Sequence, residues 1–206
     1  MNEIITIVDY GMGNIGSIAN MIKKVGGEAQ ISSDKLLIEN AKKIIIPGVG
    51  AFDSGLKKLN DSGLIEVLNK KALIDKVPIL GICLGMQLMT KRSDEGELSG
   101  LSWIDAETFK FKTNDNHYRI PHMGWNNLEK SKDHEIISDI DFDESRYYFV
   151  HSYFVKCNDE SDVLLKCNYI NSYCAAFQRE NIIGVQFHPE KSHRFGMQMF
   201  KNFISL

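Results

Sequence analysis

Long apolar runs, a surplus of positive charge and closely spaced cysteine pairs are all missing from this 206-residue chain. No apolar stretch approaches the roughly 18 residues that a membrane-spanning helix needs, so no membrane partner is expected. Lys and Arg number 24 against 27 Asp and Glu, a net charge of −3. Proteins that grip nucleic acid normally carry a basic excess, so no nucleic-acid partner is expected either. The four cysteines, Cys83, Cys157, Cys167 and Cys174, include no Cys-x-x-Cys pair. Neither structural zinc nor a dense disulfide framework is expected from them. Repeats, low-complexity tracts and Pro- or Ser-rich linkers are lacking too, so residues 1–206 are expected to form a single domain. The first residues, Met1-Asn2-Glu3-Ile4-Ile5, show neither the basic segment nor the cleavage site of a secretory signal. That points to a soluble cytoplasmic chain.

The apolar residues that are present fall into a pattern. Ile4 to Val8 is a β-branched run that reads as a buried strand. Helical spacing follows from Ser17 to Val25, stopped by Gly26-Gly27. Strands are predicted at Glu28–Ile31, Lys43–Ile46 and Val77–Ile82. Helices are predicted at Phe52–Leu59 and Leu64–Leu73, with another starting at Met86–Thr90. Such alternation means βαβ units and a parallel sheet, with chemistry gathered at the carboxyl ends of the strands. The second half is richer in strands, at Thr108–Lys112, Tyr118–Ile120, Tyr147–Lys156, Val163–Tyr169, Ser172–Gln178 and Ile182–Phe187. A short helix is expected at His134–Ile140 and a closing one at Arg194–Ile204.

Three strand ends carry residues suited to chemistry. Gly81-Ile82-Cys83-Leu84-Gly85 follows an apolar strand and precedes a helix. This is the thiol counterpart of the nucleophile elbow, in which glycines permit a strained turn. The helix N-terminus would favour a thiolate, and the Leu84 N–H is placed to meet an oxyanion. The plainer reading is a buried Cys between packing glycines. Val185-Gln186-Phe187-His188-Pro189-Glu190 supplies a base, His188, and a carboxylate, Glu190, to fix its tautomer; a lone His at a strand end would be structural. Pro47-Gly48-Val49-Gly50 ends a third strand, and its glycines let the Val49 peptide take more than one orientation. A Val49 N–H turned inward would complete an oxyanion hole, whereas a plain strand-to-helix turn is the alternative. Gly11-Met12-Gly13-Asn14 falls short of G-x-G-x-x-G, so no nucleotide site, metal or cofactor is expected.

Pro47–Gly50, the run from Gly81 to Gln87, and Phe187–Glu190 resemble the three signature blocks of the class I (triad) glutamine amidotransferases. Three further blocks, Asp9–Asn14, Pro121–Asn126 and Tyr148–Tyr153, resemble the glutaminase subunits of imidazole glycerol phosphate synthases. The resemblance runs in order through nearly the whole chain. It implies an α/β sandwich with a largely parallel central sheet flanked by helices, plus an additional β-rich portion in the second half. It implies glutamine as substrate, hydrolysed to glutamate and ammonia, with Cys83 as nucleophile, His188 moving protons and Glu190 orienting His188. Val49 and Leu84 would form the oxyanion hole. Gly48, Gly50, Gln87, His151, Ser152 and Tyr153 would lie near glutamine. A (β/α)8-barrel cyclase would be the partner in a heterodimer. Asn14, Pro121, His122, Met123, Gly124, Trp125 and Asn126 would face it or line the ammonia exit; by composition alone Trp125 reads equally as a core aromatic. A glutaminase running without an acceptor would waste glutamine, so the free chain is expected to be nearly silent, with the Val49 N–H, between Gly48 and Gly50, turned away.

Two departures keep another acceptor open. Gly16 stands where a basic residue is frequent, and His193-Arg194-Phe195-Gly196 resembles a paralogous branch. That branch supplies ammonia to a sugar amidotransferase that modifies surface sugars. The remaining readings are a different Cys hydrolase on a related fold and a non-catalytic interaction subunit that kept the fold.

Overall fold

A computed structural model describes residues 3–206. Strand β1 (Ile5–Val8) is buried on both faces and lies between β2 (Ala29–Ser32) and β3 (Lys43–Ile46), parallel to both. β4 (Ile79–Ile82) extends the parallel set beside β3. The strand beyond β4 is β12 (Ile182–Val185), from near the end of the chain. The two halves of the sequence are therefore stitched into one sheet. Antiparallel strands continue it: β11 (Ser172–Arg179), β10 (Val163–Asn168) and the short β7 (Glu129–Lys130). A branch is formed by β9 (Tyr153–Cys157), which pairs with β11 and with β5 (Ala106–Lys110). The sheet has ten strands and is mixed.

Alternation along the strands divides the core in two. Ile45 joins Leu80, Ile82 and Ile183 on one face. There it meets Ile18 and Ile22 of α1 (Ile15–Lys24) and Met199, Phe200 and Phe203 of α6 (His193–Ser205). Ile44 and Ile46 turn to the other face, against Phe52, Leu56 and Leu59 of α3 (Phe52–Asp61) and Leu84 and Leu88 of α5 (Leu84–Leu88). The spacing i, i+4, i+7 in α3 is the apolar stripe of a surface helix. Each fully buried Phe in these layers contributes about 1.5–3 kcal/mol through area removed from water.

Several expected elements differ. A helix at Lys35–Glu39 (α2) is an addition to the expected set; the Asp34 carboxylate caps it, accepting from the N–H groups of Leu36 and Leu37 at 2.7 and 3.1 Å. The helix expected to Leu73 is α4 (Ile65–Asn69), continued by a π-turn over Lys70–Ile74. Tyr118–Ile120 is not a strand: the Tyr118 N–H closes a turn onto Asp115, and the Tyr169 hydroxyl takes both backbone groups of Arg119. The long strand expected over Tyr147–Lys156 breaks at Ser152. Its first part, β8 (Tyr147–His151), pairs instead with β6 (His122–Asn126) in a separate two-stranded sheet. The expected helix at His134–Ile140 is one 3-10 turn, Glu135–Ile137.

Candidate active site

The ends of β3, β4 and β12 converge, as expected for an open parallel sheet. Cys83 follows β4 at φ 54° and ψ −110°, a region that side chains avoid. Strand β12 and helix α5 hold it there: its N–H donates to Val185 O at 2.8 Å and its carbonyl accepts from the Gln87 N–H at 3.2 Å. Gly85 makes the turn possible, because a Cβ there would stand 1.9 Å from the Ile46 carbonyl oxygen. Cys83 is 8% exposed, at the floor of a pocket. Helix α5 has only five residues, so its dipole is short and side chains must supply most of the local field.

His188 follows β12 and is buried. Its Nδ1 lies 2.8 Å from Glu190 Oε1, in an ion pair almost wholly closed to solvent. Burial works against a charged His188. Contact with the Cys83 thiol and the Glu190 carboxylate overcomes it and raises the imidazole to about 9. With Nδ1 donating to Glu190, Nε2 is left for chemistry; it is buried and makes no well-formed hydrogen bond among the described residues.

The Leu84 N–H does not stand open, as the sequence suggested. It donates to Gly48 O at 3.3 Å. The Gly48–Val49 peptide therefore points its carbonyl at the elbow, and in a trans peptide the Val49 N–H then points the opposite way. Gly50, at φ +104°, supplies the hinge on the far side of Val49. The Tyr10 hydroxyl fastens the near side by donating to Pro47 O at 2.5 Å. Burial first, and the Cys83 charge second, hold that phenol well above its usual range.

Cys83 and His188 open into a pocket of about 430 Å³. Val49, Gly50, Gln87, His151, Ser152 and Tyr153 line it as expected, along with Pro121, while Gly48 stays behind the wall. Glu95 also lines it and was not foreseen. Its carboxylate accepts from the Phe52 N–H at 2.9 Å, and burial pushes it above the ordinary carboxylate range. Gln87 is committed rather than free: its Nε2 donates to Tyr153 O at 3.2 Å and to Gln186 Oε1 at 2.9 Å. Gln186 Nε2 in turn lies 3.8 Å from Cys83 Sγ. The only sequence signal for Gln186 is a polar residue inside an apolar strand end; Glu95 offers none.

His151 belongs to a directed chain. Its Nδ1 is 2.7 Å from Tyr153 O, an acceptor, so Nδ1 carries the proton. Nε2 must then accept from the Tyr173 hydroxyl at 3.2 Å, and the Tyr173 oxygen accepts from His122 Nδ1 at 3.2 Å. His122 Nε2 accepts from Asn126 Nδ2 at 3.3 Å. Both rings must be neutral for this order, and burial holds them so, His122 near 4 and His151 near 3.

The Pro121–Asn126 segment corrects one expectation. Alternation along β6 sends Met123 (62% exposed) and Trp125 (45% exposed) outward, so Trp125 is not a core aromatic. His122 points inward and is 3% exposed, stacked on Phe149 and Tyr169. It cannot face a partner. Trp125 stacks on His193 with ring centroids 5.3 Å apart. Gly124 and Asn126 are half-buried, Pro121 is exposed, and Asn14 is exposed at the head of α1. The other thiols lie elsewhere. Burial raises Cys174, which is 3.7 Å from Cys157, and raises Cys167 to about 11. Among the described residues no cluster of His, Cys, Asp or Glu could hold a metal, and no helix is long and apolar enough to cross a membrane.

Known proteins are similar to this chain in sequence and in fold. The family glutamine amidotransferase class-I matches residues 6–206. Imidazole glycerol phosphate synthase subunit HisH 2 of Methanococcus maripaludis is 53% identical, covering 98% of each chain. The protein of the same name from Pseudomonas aeruginosa is 49% identical over 98% of this chain and 100% of its own. Among solved structures, a putative GMP synthase protein of Thermoplasma acidophilum superimposes with a TM-score of 0.75 at 19% identity, covering 100% of this chain and 94% of that one. The family match over residues 6–206 and the two relatives, 53% and 49% identical over 98% of this chain, make it a member of the class-I glutamine amidotransferases.

Proposed function

We propose that the chain hydrolyses glutamine to glutamate and ammonia at Cys83 and passes the ammonia to a barrel cyclase of histidine biosynthesis. The observation that carries this reading is Cys83 in a strained elbow beside the buried His188–Glu190 pair. The Cys83 thiol passes its proton to His188 Nε2 as its sulfur attacks the carboxamide carbon of glutamine, and the carbonyl electrons move onto oxygen. His188 Nε2 gives its proton to the nitrogen, the C–N bond breaks and ammonia leaves a glutamyl thioester. Water then gives His188 a proton as it attacks the thioester, and glutamate departs as the thiol reforms. Glu190 keeps Nδ1 protonated throughout, so that Nε2 alone shuttles. In the same pocket, the Glu95 carboxylate suits the α-ammonium group of glutamine.

The oxyanion needs donors, and the Gly48 carbonyl now takes the Leu84 N–H. Rotation of the Gly48–Val49 peptide would free that donor and bring in the Val49 N–H. One missing donor costs on the order of 10²–10³ in rate, enough to hold a free chain nearly silent. Docking of a (β/α)8-barrel partner on Met123 and Trp125 would favour the rotated form. The names of the relatives, subunits of imidazole glycerol phosphate synthase, support that partner and the histidine-pathway acceptor over the sugar acceptor. Residues 1–206 act as one domain in this reading.

Cys83→Ala tests it. The variant is expected to lose glutamine-dependent synthesis by the paired enzyme while synthesis from added ammonia continues. Retained glutamine hydrolysis would defeat the nucleophile assignment. Loss of the ammonia-dependent reaction as well would show that Cys83 serves the partner's chemistry rather than ammonia supply.

A further inference from the structure

Behind the nucleophile stands a buried carboxamide whose orientation can be deduced. The Tyr153 carbonyl oxygen can only accept, so the Gln87 atom bonded to it at 3.2 Å is nitrogen. That nitrogen lies 2.9 Å from the Gln186 carboxamide and must meet an oxygen there. The remaining Gln186 atom, Nε2, therefore faces Cys83 Sγ at 3.8 Å. Gln186 is wholly buried, and its backbone N–H is fixed to Ala175 O at 2.8 Å. Its side-chain donor is closed to bulk solvent, and a donor in such a setting is stronger than in solvent.

We propose that Gln186 is a further catalytic residue, donating Nε2–H to the Cys83 sulfur to support the attacking thiolate, with Gln87 as the positioning residue that locks the donor's orientation. The proposal rests on Cys83 being the nucleophile. The donor acts when the sulfur carries charge: before the attack on the carboxamide carbon, and again when the sulfur is released from the thioester. A carboxamide does not titrate in the working range, so Gln186 is a fixed donor whose proton never transfers. The titratable groups around the sulfur are His188 with Glu190 after β12, Tyr10 after β1, and His151 and Glu95 across the pocket. Tyr10 cannot serve, because its proton is committed to Pro47 O.

Alkylation of the full chain by iodoacetamide, mapped to individual cysteines by mass spectrometry and followed from neutral to strongly alkaline pH, separates the possibilities. Gln186→Met keeps shape and removes the donor, while Gln87 retains its bond to Tyr153. A hydrogen bond to a charged group is worth a factor of about ten or more. Alkylation of Cys83 at neutral pH is expected to slow about tenfold, with the alkaline plateau reached at the wild-type rate or above. An unchanged neutral-pH rate overturns the proposal, and so does equal slowing at every pH, which marks lost access. Where Gln186→Met does not fold, Gln87→Met decides by releasing the carboxamide: slowing at neutral pH alone supports the proposal and no change overturns it. Wild-type labelling at Cys157, Cys167 or Cys174 in place of Cys83 would overturn the nucleophile reading and the donor with it.

Discussion

At the scale of single residues, the pocket separates chemistry from recognition. Glu95 lines it, yet its hydrogen bond goes to Phe52 rather than to the His188–Glu190 pair. Glu95→Gln is therefore expected to raise KM for glutamine about tenfold or more, with kcat nearly unchanged, as loss of uniform binding does. Steady-state kinetics with a saturating partner check this; a fall in kcat at constant KM would place Glu95 in the chemical step instead. Histidines make a second test. His122 and His151 are held near 4 and near 3 by burial, whereas an unfolded chain binds those protons near pH 6.5. Below that pH the unfolded state takes up more protons, so stability is lost as pH falls towards 4. His188, raised to about 9, acts in the opposite sense: its contribution is full below about 6.5 and lost as pH rises through 9. His122→Gln is expected to remove about 2 kcal/mol of the acid-side loss, allowing for screening near solvent. Melting temperatures across pH, wild type against variant, measure it; parallel curves would contradict the assignment. Cys83, His188 and Glu190 were legible because glycines and apolar strands frame them locally. Gln186, Glu95 and Tyr173 were not, since their partners lie tens of residues away and only packing brings them together.

At the scale of elements, the site depends on how closely α5 approaches β3. Gly85→Ala would place a methyl 1.9 Å from the Ile46 carbonyl. Backbone cannot yield there without moving the elbow, and a loss of about 3 kcal/mol or more is expected. Denaturant unfolding checks it, and a loss below about 1 kcal/mol would show that the elbow gives way easily. The βαβ half was legible because its central strands are continuous β-branched runs buried on both faces. The second half was less so. Nothing in the alternation of Tyr147–Lys156 marks Ser152, yet its carbonyl accepts from the Phe111 N–H at 3.0 Å and the chain changes sheets there. β6 escaped notice because Gly124 and Asn126 are poor strand formers. Its place comes from pairing with β8 and from the buried His122.

At the scale of the molecule, five of the exposed large apolar side chains lie in two segments that meet at the pocket. Val49 belongs to one, and Tyr118, Ile120, Met123 and Trp125 to the other, with Val49 and Pro121 lining the pocket together. Exposed apolar surface of this kind suits contact with another protein, and it adjoins the loop whose peptide rotates in the proposed mechanism. In the proposed mechanism, fold and partner surface are joined through the Gly48–Val49 peptide. The direct measurement is glutamate formation from glutamine by the full chain, alone and with a saturating barrel cyclase. The account expects slow turnover alone and stimulation of at least the order of 10²–10³ with the partner, the factor for a single oxyanion donor, since rotation supplies two. A free chain as fast as the complex, or no glutamate from either, would contradict it.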